Sequence, residues 1–324
     1  MQIVQKRVVA LGLAVLALPA AAVSAAAYPD KPVRLIVPAG AGSANDTLVR
    51  MIALKLSETF QRTMVVDNRP GAGGIIGVET AAHAAADGYT LLTVSTASVV
   101  ILPQMHKKLN FDVFRDFAPI AVIGMTQNVM VAHPAAPATV RDLIIAAKSN
   151  PDRLNMASAG LGSQSHLAGV QFLLLAGIDV VHVPYKDGGA SVTALIANQA
   201  QFTITPLPAT LPHVRAGRLR AIATGGDTRA AQLPEVPTMV EAGVAGYQST
   251  GWNGLLAPVK VSRSIVQQIA SAVARVIAQP EMRDQFERQG AEARSTTPVE
   301  FASFMREEWD RYAKVIKAAG ITPQ

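Results

Sequence analysis

Val33-Arg34-Leu35-Ile36-Val37, then Pro38-Ala39-Gly40-Ala41-Gly42-Ser43-Ala44, then Leu48, Ile52 and Leu56 four residues apart read as a strand, a small-residue loop and an amphipathic helix. The same form returns where Leu154-Asn155-Met156-Ala157-Ser158 runs into Ala159-Gly160-Leu161-Gly162-Ser163 and a helix around Leu167, Phe172 and Leu175. Between the two, residues 64–66 and 89–94 read as further strands, the first ending in the turn-rich Asn68-Arg69-Pro70-Gly71-Ala72-Gly73-Gly74. Short apolar strands alternating with helices predict an α/β protein with parallel sheets flanked by helices. A chain of 324 residues carries about two such units.

Composition narrows the chemistry. With 50% hydrophobic and 16% charged residues the chain folds around real cores, and with no cysteine it has neither disulfides nor thiolate ligands nor a thiol nucleophile. The net charge of +6 is scattered, its densest cluster being Lys107-Lys108, so no nucleic-acid patch forms. Lys6 and Arg7 precede the apolar run 8–23, which ends in Ser24-Ala25-Ala26-Ala27. A charged start, a short apolar stretch and small residues are the marks of a cleaved secretory signal peptide, here residues 1–27. Its removal leaves 27 basic against 23 acidic residues, a mature charge of +4.

The loop Gly40-Ala41-Gly42-Ser43-Ala44-Asn45-Asp46 joins a strand to a helix, where exposed backbone N–H groups and the helix dipole favour an anion. A plain tight turn accounts for the same residues. A dinucleotide fingerprint does not, because Asn45 stands where the third glycine belongs. In the second loop Ser163 is placed to cap its helix or to offer a hydroxyl to a ligand, and neither Ser163 nor Ser165 has the Gly-x-Ser-x-Gly setting of a hydrolase nucleophile. The six histidines show no close pair in sequence and no metal-ligand spacing, so no metal is expected. Thr297-Pro298-Val299-Glu300 spells a capping box with proline at the first helical position. The helix it opens carries an apolar stripe of Phe301, Met305, Trp309, Tyr312 and Val315.

Six motifs in order carry a resemblance that spans nearly the whole chain. They are the Tyr28-Pro29-Asp30-Lys31-Pro32 lead into the first strand, Asn68-Arg69-Pro70-Gly71-Ala72-Gly73-Gly74, Asp87-Gly88-Tyr89-Thr90-Leu91-Leu92, Val183-Pro184-Tyr185-Lys186, Leu233-Pro234-Glu235-Val236-Pro237-Thr238 and Gly254-Leu255-Leu256-Ala257-Pro258. Together they resemble the extracytoplasmic solute receptors of the tripartite tricarboxylate transporter family, the Bug receptors. The resemblance implies a two-lobed periplasmic binding protein, a Venus flytrap of type II-like topology with two crossover segments. Lobe 1 would comprise residues 28–125 and 247–324, and lobe 2 residues 126–246.

It also implies a small carboxylate held in the cleft and a two-subunit membrane permease as partner, with no enzymatic activity and no cofactor. The expected state is a periplasmic monomer. A sensory receptor feeding a signalling partner would use the same cleft, and a secreted hydrolase would need a nucleophile and base that the motifs do not supply. Carried over by position, the ligand residues are Ala39, Gly40, Ala41, Gly42, Ser43, Asn45, Asp46, Ser95 and Thr96 on the first lobe and Ala159, Gly160, Gly162 and Ser163 on the second, with Asp187 and Thr205 beyond them. The first loop lacks the family's usual aromatic residue, and Asp187 stands after Lys186 where glycine is usual. The aspartates the family places near Gln201 and Thr205 are absent, which argues against a ligand whose far end is an ammonium.

The exported protein is expected to begin between Ala25 and Tyr28, since small residues close the apolar run. Intact-mass measurement on the secreted form checks this, and a membrane-bound form that retains Met1 would contradict it.

Overall fold

The computed structural model describes residues 28–150, 153–318, 320, 321 and 323; the expected signal peptide lies outside them. Ten strands form the framework: β1 (Val33–Val37), β2 (Met64–Asn68), β3 (Thr90–Ser95), β4 (Phe117–Ala132), β5 (Asn155–Ser158), β6 (Val181–Pro184), β7 (Phe202–Pro206), β8 (Arg220–Thr224), β9 (Thr250–Pro258) and β10 (Ala291–Ala293). Their order is β2-β1-β3-β9-β4-β7-β5-β6, with β8 and β10 also pairing to β4. β1 runs parallel to β2 and β3, and β5 parallel to β6 and β7, as the strand–helix alternation predicts. The strand expected over 89–94 begins one residue later, as does the one expected from Leu154.

β4 is 16 residues long and belongs to two sheets. From Phe117 to Gln127 it pairs with β9, and from Asn128 to Ala132 with β7. β9 returns antiparallel alongside it, so the chain passes between the two sheets at Gln127–Asn128 and again just before Thr250. This is the two-lobed α/β architecture with two crossovers. The crossing is tied by four bonds: Asn128 N donates to Ser249 O at 3.1 Å, Gly225 N to Asn128 O at 2.7 Å, Ser249 N to Gly225 O at 2.8 Å, and Asn128 Nδ2 to Ser249 Oγ at 2.6 Å. Gly225 has to be glycine, because a Cβ there would stand 2.6 Å from Ser249 O.

Each sheet has apolar packing on both faces. One face of the first sheet packs on the helix Ala44–Phe60 through Leu48, Val49, Ile52, Ala53 and Leu56, and on the helix Arg263–Ile277. The other face packs on the C-terminal helix Pro298–Ala318. That helix opens with the expected capping box: Glu300 N donates to Thr297 Oγ1 at 3.2 Å and Thr297 N to Glu300 Oε2 at 2.8 Å. Its buried stripe differs from the expected one, being Phe301, Met305, Glu308, Tyr312 and Ile316, with Trp309 and Val315 one position off and only half-buried. Fourfold steps outrun the 3.6-residue turn, and a step of three brings Glu308 rather than Trp309 inward. Glu308 is tolerated because its carboxylate accepts from Trp252 Nε1 at 3.1 Å and from Arg311 twice at 2.8 Å. Trp252 is thereby a core residue, 1% exposed, packed edge-on to Phe301.

In the second sheet the Gln164–Ala176 helix buries Leu167 and Phe172, whereas Leu175, expected inside, is exposed beside Leu174. Among the described residues no helix is long and apolar enough to cross a membrane.

Phe301→Ala is expected to destabilise the protein by about 3 to 5 kcal/mol, because the ring is fully buried against Trp252 and over Gly254. Urea unfolding monitored by circular dichroism checks it, and a change below about 1 kcal/mol would mean that the C-terminal helix contributes little to the lobe.

Candidate functional site

The strand directions bring one end of each lobe to the crossing. β1 and β3 run toward it with their C-terminal ends, and β5 and β7 approach from the opposite side, also with their C-terminal ends. The loops that leave β1, β3 and β5 therefore face the crossing, where open α/β sheets hold their ligands.

The loops after β1 and β5 are one structure made twice. Ser43 N donates to Gly40 O, and Ser163 N to Gly160 O, both at 3.2 Å. Ser43 Oγ accepts from Asp46 N at 3.2 Å, and Ser163 Oγ from His166 N at 3.2 Å, so each serine caps its helix. Gly42 N donates to Asp46 Oδ2 at 2.8 Å, and Gly162 N to His166 Nδ1 at 3.1 Å. Gly42 and Gly162 sit at φ 79° and 73°, which a side chain would strain. These internal bonds spend several of the N–H groups expected to face an anion. What remains is the first turn of each helix: Ala44 and Asn45 N–H on one lobe, and Gln164 and Ser165 N–H on the other, find no acceptor among the described residues.

Asp46 leaves the capping of its helix to Ser43. Its carboxylate accepts from Gly42 N, from Arg50 Nε at 3.0 Å and from Asn68 Nδ2 at 2.9 Å. Burial works against the charge, but the Arg50, Gly42 and Asn68 donors outweigh it and hold the carboxyl below its ordinary range. Asp46 thus shapes the loop. Asn45 reaches Thr93 Oγ1 at 3.3 Å, and its Oδ1 is enclosed without a partner. Ser95 N donates to Ser98 Oγ at 3.1 Å, and Thr96 is fully buried, its hydroxyl accepting from Trp252 N at 3.0 Å. Thr96 therefore fixes β9.

On the second lobe Ala159 N donates to Ser165 Oγ at 2.9 Å, and Gly160 N to Ser158 Oγ at 3.1 Å. Asp187 is exposed and caps the helix Gly188–Ile196 by accepting from Ala190 N at 2.7 Å, while Thr205 is buried in β7 opposite Val129. His166 and His182, 16 positions apart in sequence, stack with ring centroids 4.4 Å apart. His182 Nε2 bonds Ser158 Oγ at 2.7 Å. Burial, and then the neighbouring His182, push the His166 imidazole down to about 4. Its Nδ1 accepts from Gly162 N, so the neutral ring is the form the loop requires.

The second loop reaches Met105, which follows the short helix Leu102–Gln104. A Cβ on Gly162 would lie 3.3 Å from Met105 Cγ, and Leu167 shares a cluster with Met105 and Trp252. A separate cavity of about 980 Å³ opens elsewhere on the crossing, between Gln127 and the C-terminal helix. None of residues 39–46 or 159–163 lines it, and its Arg229, Arg283, Arg294 and Arg311 are matched by Asp227, Glu287, Glu292 and Glu308. Such balanced walls do not select an anion.

Residues 48–321 match the sequence model described as the tripartite tricarboxylate transporter family receptor. The chain is 33% identical over 303 residues to Protein BugT of Bordetella pertussis, covering 93% of each. Among solved structures it is similar to Rpa4515 of R. palustris with adipate, at TM-score 0.89 and 32% identity over 92% of this chain and 100% of that one. It is also similar to MatC of Rhodopseudomonas palustris with bound malate, at TM-score 0.83 and 29% identity over 89% of this chain and 100% of that one.

A buried histidine held neutral destabilises the fold as the unfolded chain gains protons. With His166 near 4 in the fold against 6.5 when free, its contribution is complete above pH 6.5 and is lost as pH falls toward 4, up to about 3 kcal/mol. His166→Gln keeps an acceptor but does not titrate. Melting curves from pH 7 to 4 should fall less steeply for the variant, and parallel curves would mean that His166 is free to protonate in the fold.

Proposed function

Since the chain belongs to the tripartite tricarboxylate transporter receptor family, we propose that it is a periplasmic receptor that captures a small dicarboxylate between its lobes. The observation that carries this reading is the duplicated loop. Each lobe brings a helix N-terminus with two unspent N–H groups to the crossing, so a ligand with an anionic group for each lobe is held by both. The adipate and malate of the two similar structures are such dianions. Neither loop contains a lysine or arginine, so recognition rests on backbone N–H groups, hydroxyls and helix dipoles. The ligand residues on this reading are Ala39, Gly40, Ala41, Gly42, Ser43, Asn45 and Asp46 with Ser95 and Thr96 on the first lobe, and Ala159, Gly160, Gly162 and Ser163 on the second. Asp187 and Thr205 border the ligand's far end. Asp46 and Thr96 act through the loop and strand they fix.

The lobes divide at residues 126 and 246, the monomer closes on its ligand, and a two-subunit membrane permease reads the closed form. No covalent chemistry takes part. Binding favours closure by the difference in affinity between the closed and open forms, since only the closed form engages both helix ends.

A thermal-shift screen of the mature chain against mono-, di- and tricarboxylates tests the reading. A ligand at about 100 times its dissociation constant adds roughly 2.7 kcal/mol, and at roughly 2 to 4 °C per kcal/mol the melting point should rise by about 5 to 10 °C. The same ligand should reduce the radius of gyration in solution scattering. A panel in which no carboxylate shifts the melting point would overturn the proposal, and a shift without compaction would confine binding to one lobe.

A further inference from the structure

Gln164 is the first residue of the second clamp helix, and its side chain is 9% exposed. Its carboxamide makes no hydrogen bond among the described residues, and Nε2 is fully enclosed without an acceptor. The amide lies against β9 where the chain returns to the first lobe: a Cβ on Gly251 would collide with it, so that position is open to Gln164 only because it is glycine. Gly251 pairs with Thr126 of β4, and the next residue, Trp252, is held by Thr96. The amide therefore sits at the floor between the lobes, beside the unspent N–H groups of Gln164 and Ser165, in an arrangement where the second loop rests on Met105. The inward-facing polar neighbours on the same helix are spoken for: Ser165 Oγ accepts from Ala159 N, and His166 Nδ1 from Gly162 N. Gln164 alone of these three has a side chain that makes no hydrogen bond among the described residues.

We infer that Gln164 makes closure conditional on ligand: its Nε2 donates to a ligand carboxylate oxygen in the filled cleft, and its unmet donors disfavour the closed cleft when empty. This deepens the receptor reading and rests on it. With the lobes apart the amide is hydrated. Closing without ligand strips that water and supplies no acceptor, the costly half of the hydrogen-bond balance. A carboxylate between the lobes restores an acceptor, and a charged one, at the moment of closing. An unmet donor of this kind changes the ratio of closed to open empty protein by about 5- to 150-fold.

The experiment compares wild type, Gln164→Met and Gln164→Glu as mature chains, with adipate and malate as probes, by solution scattering and titration calorimetry. Methionine keeps the length and removes the unmet donors, so ligand-free Gln164→Met should already approach the compact radius and compact little further on adding the probe. Gln164→Glu places a charge against the ligand's carboxylate and should weaken the probe at least 100-fold. Gln164→Leu repeats the first arm with a different shape and separates loss of the donors from misfit. If ligand-free Gln164→Met and Gln164→Leu keep the wild-type radius while the wild type compacts on its probe, the inference is wrong and the receptor reading stands. A wild type that binds neither probe nor any other carboxylate overturns both.

Discussion

One strand serving two sheets is the constraint on which the rest of the structure depends. β4 gives its first eleven residues to one lobe and its last five to the other, and β9 returns beside it. The bonds among Asn128, Gly225 and Ser249 hold the two passages together at the point where they change sheets. The sheets accordingly meet with the C-terminal ends of their parallel strands facing one another. The lobes are joined by only a few residues of two adjacent strands, the kind of connection at which two-lobed proteins hinge. The loops after β1, β3 and β5 all face this junction.

The electrostatics of the cleft follow from the loops. Neither loop contains a lysine or arginine, and Arg50, which reaches the first, is spent on Asp46. Each brings instead the N-terminus of a helix, 17 residues long on the first lobe and 13 on the second, whose first-turn N–H groups are unspent. Arg50 neutralises Asp46 and Asn68 donates to it, which offsets the repulsion that the carboxylate nearest the first helix end would exert on an anion. His166 does the same work without a charge on the second lobe. The two loops thus solve one geometric problem with different acceptors, a carboxylate matched by arginine and a neutral imidazole.

Much of this was legible in sequence because it is local. The strand–loop–helix units, the capping box at Thr297 and the capping serine at 163 depend on residues within a few positions of one another. What the sequence concealed depends on long-range contacts. Asp46 meets Asn68 across 22 positions, His166 meets His182 across 16, and Trp252 finds Glu308 across 56. Glu308 breaks the apolar stripe of its helix, and its partner lies on another element, so periodicity alone substitutes Trp309. Gln164 gave no signal at all. An amide at the start of a helix looks like any solvated side chain until the crossing strand encloses it.

On the proposed reading a ligand is held by the helix starts of both lobes at once. A crystal structure of the mature chain with its tightest dicarboxylate measures this most directly. Carboxylate oxygens are expected within about 3.2 Å of first-turn N–H groups on both helices, at Ala44 or Asn45 and at Gln164 or Ser165. A ligand resting on one lobe alone, or seated in the cavity between Gln127 and the C-terminal helix, would contradict it.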